Sequence, residues 1–242
     1  MMIVRSAVFN VWFVGMTVLY GSAGLPVRWF ARHRALGLAQ GWARAVLWGA
    51  EHIAGIRTVV TGRENLPGGA ALIASEHQSA FDTIIWLHLV PRVSYVFKYE
   101  LGQIPLFGPL LVPAGQIPID RGASFAAVRS LLRGVDKAKA DGRQIVIFPE
   151  GTRVEPGSVT ELRPGLAVMA ARTRLPVIPV ATDSGRLWGR RAFRKHSGIV
   201  HIVIGPAIPP DLPQAALLAA VRERWDAAHA GLDSVDNLVD GA

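Results

Sequence analysis

The sequence predicts an α/β fold, a mixed sheet covered by helices, because short β-branched runs alternate with stretches of helical periodicity from residue 57 onward. An apolar stretch followed by a basic amphipathic one places a membrane-associated two-helix segment ahead of that sheet. The expected division is therefore residues 1–56 for the anchoring helices and 57–242 for the α/β domain, which closes with a helix and a short polar tail.

The elements follow in order. Between Arg5 and Arg28 no residue is charged, and Val8, Phe9, Val11, Trp12, Phe13, Val14, Met16, Val18, Leu19 and Tyr20 all require an apolar environment. A full span needs about 20 apolar residues, and Gly21, Gly24 and Pro26 leave the continuous run near that lower limit. A signal peptide, with Arg5 as basic start and Gly21, Ser22 and Ala23 at the cleavage site, is the weaker reading. Next, Leu36, Ala39, Ala43, Val46, Leu47 and Ala50 recur at three- and four-residue steps among Arg28, Arg32, Arg34 and Arg44. With Trp29, Trp42 and Trp48 at headgroup level, this pattern favours a hairpin dipping into one leaflet. The alternative is a pair of helices that simply pack on the core.

Strands are expected at Thr58–Val60, Ala71–Ala74, Val93–Phe97, Gln144–Phe148, Val177–Ala181 and Ile199–Ile204, with another short one before Arg121. An apolar helix should cover Thr83–Val90. The clearest helix runs from Ser124, a suitable cap, to Asp141, with Val128, Leu131, Leu132, Val135 and Ala138 on one stripe. Asp211 and Pro213 open the last helix, through Ala216, Leu217, Val221 and Trp225, after which the polar residues read as a mobile tail.

The chain has 26 Lys and Arg against 18 Asp and Glu, a net charge of +8. Such a balance attracts nucleic acid, a phosphate-bearing substrate or an acidic membrane. A mean hydropathy of +0.30 argues for the membrane over nucleic acid. The arginines are not gathered on one face with stacking aromatics, so no nucleic-acid partner is expected. The basic loop Arg186, Arg190, Arg191, Arg194 and Lys195, around Trp188 and Phe193, suits anionic lipid or an acidic carrier protein, or is merely solvated. There is no cysteine, which excludes disulfides, thiolate nucleophiles and cysteine metal sites.

Three segments carry chemistry. In Ser75-Glu76-His77-Gln78-Ser79-Ala80-Phe81-Asp82, a histidine precedes an aspartate by five residues at the carboxyl end of a strand. The carboxylate can then hold one imidazole nitrogen while the other takes a proton. A helix-capping histidine with an ordinary surface aspartate is the competing account. Phe148-Pro149-Glu150-Gly151-Thr152-Arg153 brings a carboxylate, an exposed backbone, a hydroxyl and a guanidinium into one turn, a combination suited to phosphate. Gly115 to Arg121 places Arg121 beyond another strand, with Asp120 available to neutralise it. Ser79 is better suited to starting a helix than to acting as nucleophile. His88 has no third ligand at convincing spacing, so no metal is expected.

In this order the segments resemble the glycerophospholipid acyltransferase family of the lysophosphatidate-acylating kind. His77 to Asp82, Gly115 to Arg121, Phe148 to Arg153 and Val177 to Ala181 match its four blocks. Lys98-Tyr99-Glu100-Leu101, Ile104 to Gly108 and Arg163-Pro164-Gly165 match the intervening regions, so the resemblance runs from about Arg57 to Pro209.

The resemblance implies that His77 deprotonates the sn-2 hydroxyl of 1-acyl-glycerol-3-phosphate, which attacks an acyl thioester directly and yields phosphatidic acid. It implies that Asp82 orients His77 and that Arg121, Glu150, Gly151, Thr152 and Arg153 bind the glycerol phosphate, with Lys98 an additional cation. Acyl-CoA or acyl carrier protein would be the donor substrate, with no cofactor, and the catalytic domain would work at the cytoplasmic face of the inner membrane. Two alternatives stand beside it: the same transfer to another lyso-lipid such as lyso-ornithine lipid, and a non-catalytic basic membrane-binding protein of the same fold.

Overall fold

The computed structural model describes residues 1–119 and 125–240. Helices α1 (Met2–Phe30) and α2 (Ala35–Gly49) precede the sheet, and a π-helical turn over Ala50–Ala54 leads into β1 (Ile56–Thr61). There follow β2 (Ala71–Ser75), α3 (Ala80–Leu89), β3 (Val93–Lys98), the single turn α4 (Gly108–Leu111) and β4 (Ile117–Ile119). The remainder is α5 (Phe125–Ala140), β5 (Gln144–Ile147), α6 (Gly165–Thr173), β6 (Val177–Thr182), α7 (Ser184–Leu187), β7 (Gly198–Ile204) and α8 (Gln214–Asp240).

Among the described residues the strands form one mixed sheet of order β1-β7-β6-β2-β5-β3-β4. Every neighbouring pair is parallel except β6 and β7, so β1 and β7 run against the other five. The chain crosses from β2 to β3 in one direction and returns from β4 through β5 to β6 in the other. Right-handed crossovers must therefore place α3 on one face and α5 and α6 on the opposite one. The cores match this: Ala71 and Ile73 of β2 pack with Phe81, Ile84 and Ile85 of α3. Leu72 and Ala74 pack instead with Leu131 and Val135 of α5, Leu166 and Met169 of α6, and Val221 and Trp225 of α8. A strand covered on both faces needs a continuous apolar run, which β2 provides. Because the chain leaves β2 and β5 toward opposite faces, a crevice opens between their carboxyl ends, the usual ligand position in such sheets.

Helix α1 lies against α2 and the α3 face through Phe9 and Phe13, whose rings meet Trp188 edge-on at 5.1 and 5.9 Å. Gly24 is seated so closely on Leu110 that an added Cβ would lie 2.2 Å from its side chain. The opposite side of α1, with Val4, Val8, Val11, Val18, Leu25 and Trp29, is exposed. The helix pair thus shares the domain core on its inner side and presents an apolar stripe outward. Helix α1 is long and apolar enough to cross a membrane.

Two expectations need correction. Helix α3 begins at Ala80, three residues before the apolar run, because Ser79 caps it. The polar residues after Trp225 do not form a loose tail: α8 continues to Asp240, and His229 and Asp233 bond to Glu76 and Arg186. The expected cap Ser124 and the cation Arg121, with Asp120, lie outside the described residues.

Candidate active site

β2 ends at Ser75, and the chain turns sharply before α3. Ser79 is extended, its hydroxyl accepts from the Phe81 N–H at 3.1 Å, and Asp82 reciprocates from the third helical position, a capping box. In closing that box, Asp82 Oδ2 accepts the backbone N–H groups of Gln78 and Ser79, each at 2.7 Å. The same oxygen lies 3.2 Å from His77 Nδ1, and Oδ1 accepts the Ser184 hydroxyl at 2.5 Å. One buried carboxylate therefore sets the helix start, the turn and the imidazole together; Asp82 is not the ordinary surface aspartate of the competing account, and Ser79, not His77, caps the helix. His77 stacks on Phe148, with ring centroids 4.1 Å apart and planes 20° apart. With Nδ1 committed to Asp82, Nε2 is the nitrogen left for a substrate.

β5 delivers the second segment beside it. Gly151 occupies left-handed backbone, φ 71°, and its N–H closes a turn on Phe148 O at 3.0 Å. The turn folds Glu150 under the His77 segment, where its carboxyl accepts the His77 N–H at 2.9 Å. Val154 N–H donates to His77 O at 2.8 Å, fastening the two segments to each other. Burial, with a further contribution from the nearby charge of Glu76, pushes the Glu150 carboxyl up to about 9. Glu150 is thus neutral near pH 7 and can offer a hydrogen to a phosphate or hydroxyl without repelling it. Arg153, half-buried, has its guanidinium pKa lowered by burial and by Arg190 and Arg191, against the opposing pull of Asp82. Its Nε is buried with no hydrogen-bond partner among the described residues.

The fold brings His77, Asp82, Glu150, Gly151 and Arg153 to adjacent strand ends. Thr152 is exposed in the same turn. Lys98, exposed at the end of β3, stands two strands from β2, roughly 10 Å along the same edge.

Several supporting residues were not anticipated. Ser184 reaches Asp82 from the turn after β6. Glu76 Oε2 accepts Thr182 N–H at 2.9 Å and meets His229 Nε2 of α8 at 2.8 Å, which raises the histidine pKa. Gln78 Oε1 accepts Gly185 N–H at 3.1 Å. His201 Nδ1 and N–H bind the two oxygens of Asp183, at 2.8 and 2.7 Å. A sequence signal existed for part of this. Thr182-Asp183-Ser184 is a polar triplet at the end of an apolar strand, and His229 lies four residues beyond core Trp225, hence on its helix face.

A family model described as Acyltransferase matches residues 57–183. The chain is 34% identical over 203 residues to the 1-acyl-sn-glycerol-3-phosphate acyltransferase of Pseudomonas aeruginosa, covering 84% of this chain and 77% of that one. This chain belongs to the acyltransferase family. The acyltransferase of the same description from Helicobacter pylori is 30% identical over 159 residues, 64% of this chain and 67% of that one. The crystal structure of the 1-acyl-sn-glycerophosphate acyltransferase of Thermotoga maritima superposes with a TM-score of 0.78, covering 96% and 98% of the two chains at 22% identity. That likeness establishes the acyltransferase fold, including the helical segment ahead of the sheet.

Proposed function

We propose that this acyltransferase moves an acyl group from a thioester, acyl-CoA or acyl carrier protein, to the sn-2 hydroxyl of 1-acyl-glycerol-3-phosphate, with His77 as general base. The observation that carries the proposal is the placement of His77: Nδ1 is held by buried Asp82, beside a turn carrying neutral Glu150 and cationic Arg153. His77 Nε2 takes the hydroxyl proton as the oxygen attacks the thioester carbonyl. The tetrahedral intermediate then expels the thiolate, which recovers the proton from the imidazolium. Asp82 stabilises that imidazolium, and Arg153, with Arg121, Lys98 and the turn of Glu150, Gly151 and Thr152, holds the glycerol phosphate. The Pseudomonas and Helicobacter relatives, both 1-acyl-sn-glycerol-3-phosphate acyltransferases, support this choice of acceptor.

The outer stripe of α1 would sit in lipid, bringing the crevice to the surface where an amphipathic acceptor resides. Acyl thioesters are made inside the cell, so we place the reaction at the cytoplasmic face of the membrane. Acyl transfer from labelled acyl-CoA and acyl carrier protein to a panel of lyso-lipids in detergent tests the reading. His77→Ala should lower kcat on lysophosphatidate by about 10² to 10⁴. Activity confined to lyso-ornithine lipid would replace the acceptor, and full activity in His77→Ala would sink the mechanism.

A further inference from the structure

The basic loop between α7 and β7 sorts its cations into two groups. Arg186 is neutralised by Asp233 of α8 at 2.9 Å. Lys195 folds back, donating to Ala192 O at 2.6 Å and lying 5.2 Å from the Trp188 ring centroid. Arg190 and Arg191 pair with no carboxylate among the described residues. Instead Arg190 reaches the catalytic side, its Nη1 3.5 Å from Arg153 O. It lines a cavity of about 340 Å³ together with Gln78, Gly185 and Gly189. Gln78 follows His77 in the chain, so one wall of this cavity belongs to the segment that carries His77. Glu155, the carboxylate in the lining, is exposed and therefore screened by solvent.

Arg190 and Arg191 are exposed, and with Arg153 they give this side of the site charged, fork-shaped donors suited to an anion. Arg153 already registers their charge, since Arg190 and Arg191 both lower its pKa beyond the effect of burial. Its buried Nε adds a donor that no protein group satisfies among the described residues.

We infer that Arg190 and Arg191 complete, with Arg153, a cradle for a substrate phosphate monoester on the β6 side of His77. This rests on the acyl-transfer reading and deepens it: the phosphate is gripped from the loop after β6 as well as from the turn after β5. The group bound is the same chemistry whether it belongs to the acceptor's glycerol phosphate or to a phosphate of the donor.

The test uses the full chain in detergent. Glycerol 3-phosphate, which carries no acyl chain, should raise the melting temperature of the wild type. Its apparent Kd should weaken by about tenfold or more in R190Q/R191Q, the loss of charged hydrogen bonds. Arg194→Gln, which removes one positive charge from the same loop, should bind as the wild type does. Steady-state kinetics then name the source: a raised KM for lysophosphatidate alone assigns the acceptor phosphate, and a raised KM for acyl-CoA alone assigns the donor. Either result supports the cradle. Unchanged glycerol phosphate binding and unchanged KM values, or an equal loss in Arg194→Gln, would overturn it. If the wild type transfers no acyl group yet loses phosphate binding in the double variant, the cradle stands and the proposed reaction falls.

Discussion

Asp82 is 1% exposed and takes hydrogen bonds from two backbone N–H groups, a hydroxyl and an imidazole. Val11, on the outer stripe of α1, is 74% exposed. Around Asp82 each atom is fixed by directional bonds, and a displacement breaks several at once. On the outside of α1 only apolarity is specified, and the surrounding medium supplies the rest. On the proposed reading, the contrast separates what the protein must hold rigid, His77 and the Asp82 carboxylate, from what it can leave adaptable, the outer stripe of α1.

The contrast is broken most sharply at its rigid end. Asp82→Asn keeps the shape and removes the charge, leaving an amide where a carboxylate accepts four donors. It should lower kcat by about 10³ or more and destabilise the fold by roughly 2–3 kcal/mol, read from turnover and denaturant melts. His229→Ala acts one step away, through Glu76. It should cost about tenfold in kcat with little change in KM, and Tm should fall; an equal rise in KM would mean that α8 shapes the substrate site directly.

Glu150 sharpens the comparison through pH. Its folded-state pKa stands at about 9 against an ordinary 4.5, so between those values the folded state holds a proton that the unfolded state has lost. The stability it contributes is fully present below about 4.5 and is lost as pH rises toward 9. The raised pKa of His229 has the same sign, above the ordinary histidine range. Melting temperature should therefore fall as pH rises through this window, and Glu150→Gln should flatten part of that slope. A slope unchanged in the variant would remove Glu150 as its source.

The smallest effect on stability belongs to the adaptable end. Val11→Glu with Val18→Glu should leave Tm in detergent nearly unaltered while weakening binding to lipid vesicles by tenfold or more. A large fall in Tm would show instead that the outer stripe is packed in the protein.

Much of this was readable from residue order. The strands were legible because β2 and β6 are buried on both faces and must be continuously apolar, and the five-residue spacing of His77 and Asp82 lies within a single turn. Ser184, Glu76 and His229 were not legible in the same way. Ser184 meets Asp82 across 102 residues and His229 meets Glu76 across 153, and no local pattern encodes such pairings. The end of α8 misled for a related reason. Its polar composition suggested a mobile tail, yet His229 and Asp233 bond to Glu76, just after β2, and Arg186, in α7, both far away in sequence.

The bond between His229 and Glu76 also orders events in time. During synthesis α1 leaves the ribosome before any strand has formed, and the turn containing Glu76 follows some 50 residues later. Glu76 gains its imidazole partner only when α8 has emerged. On the proposed reading, α1 would meet the bilayer before the site around His77 is complete, so the nascent chain would reach lipid while still incompetent to act on it.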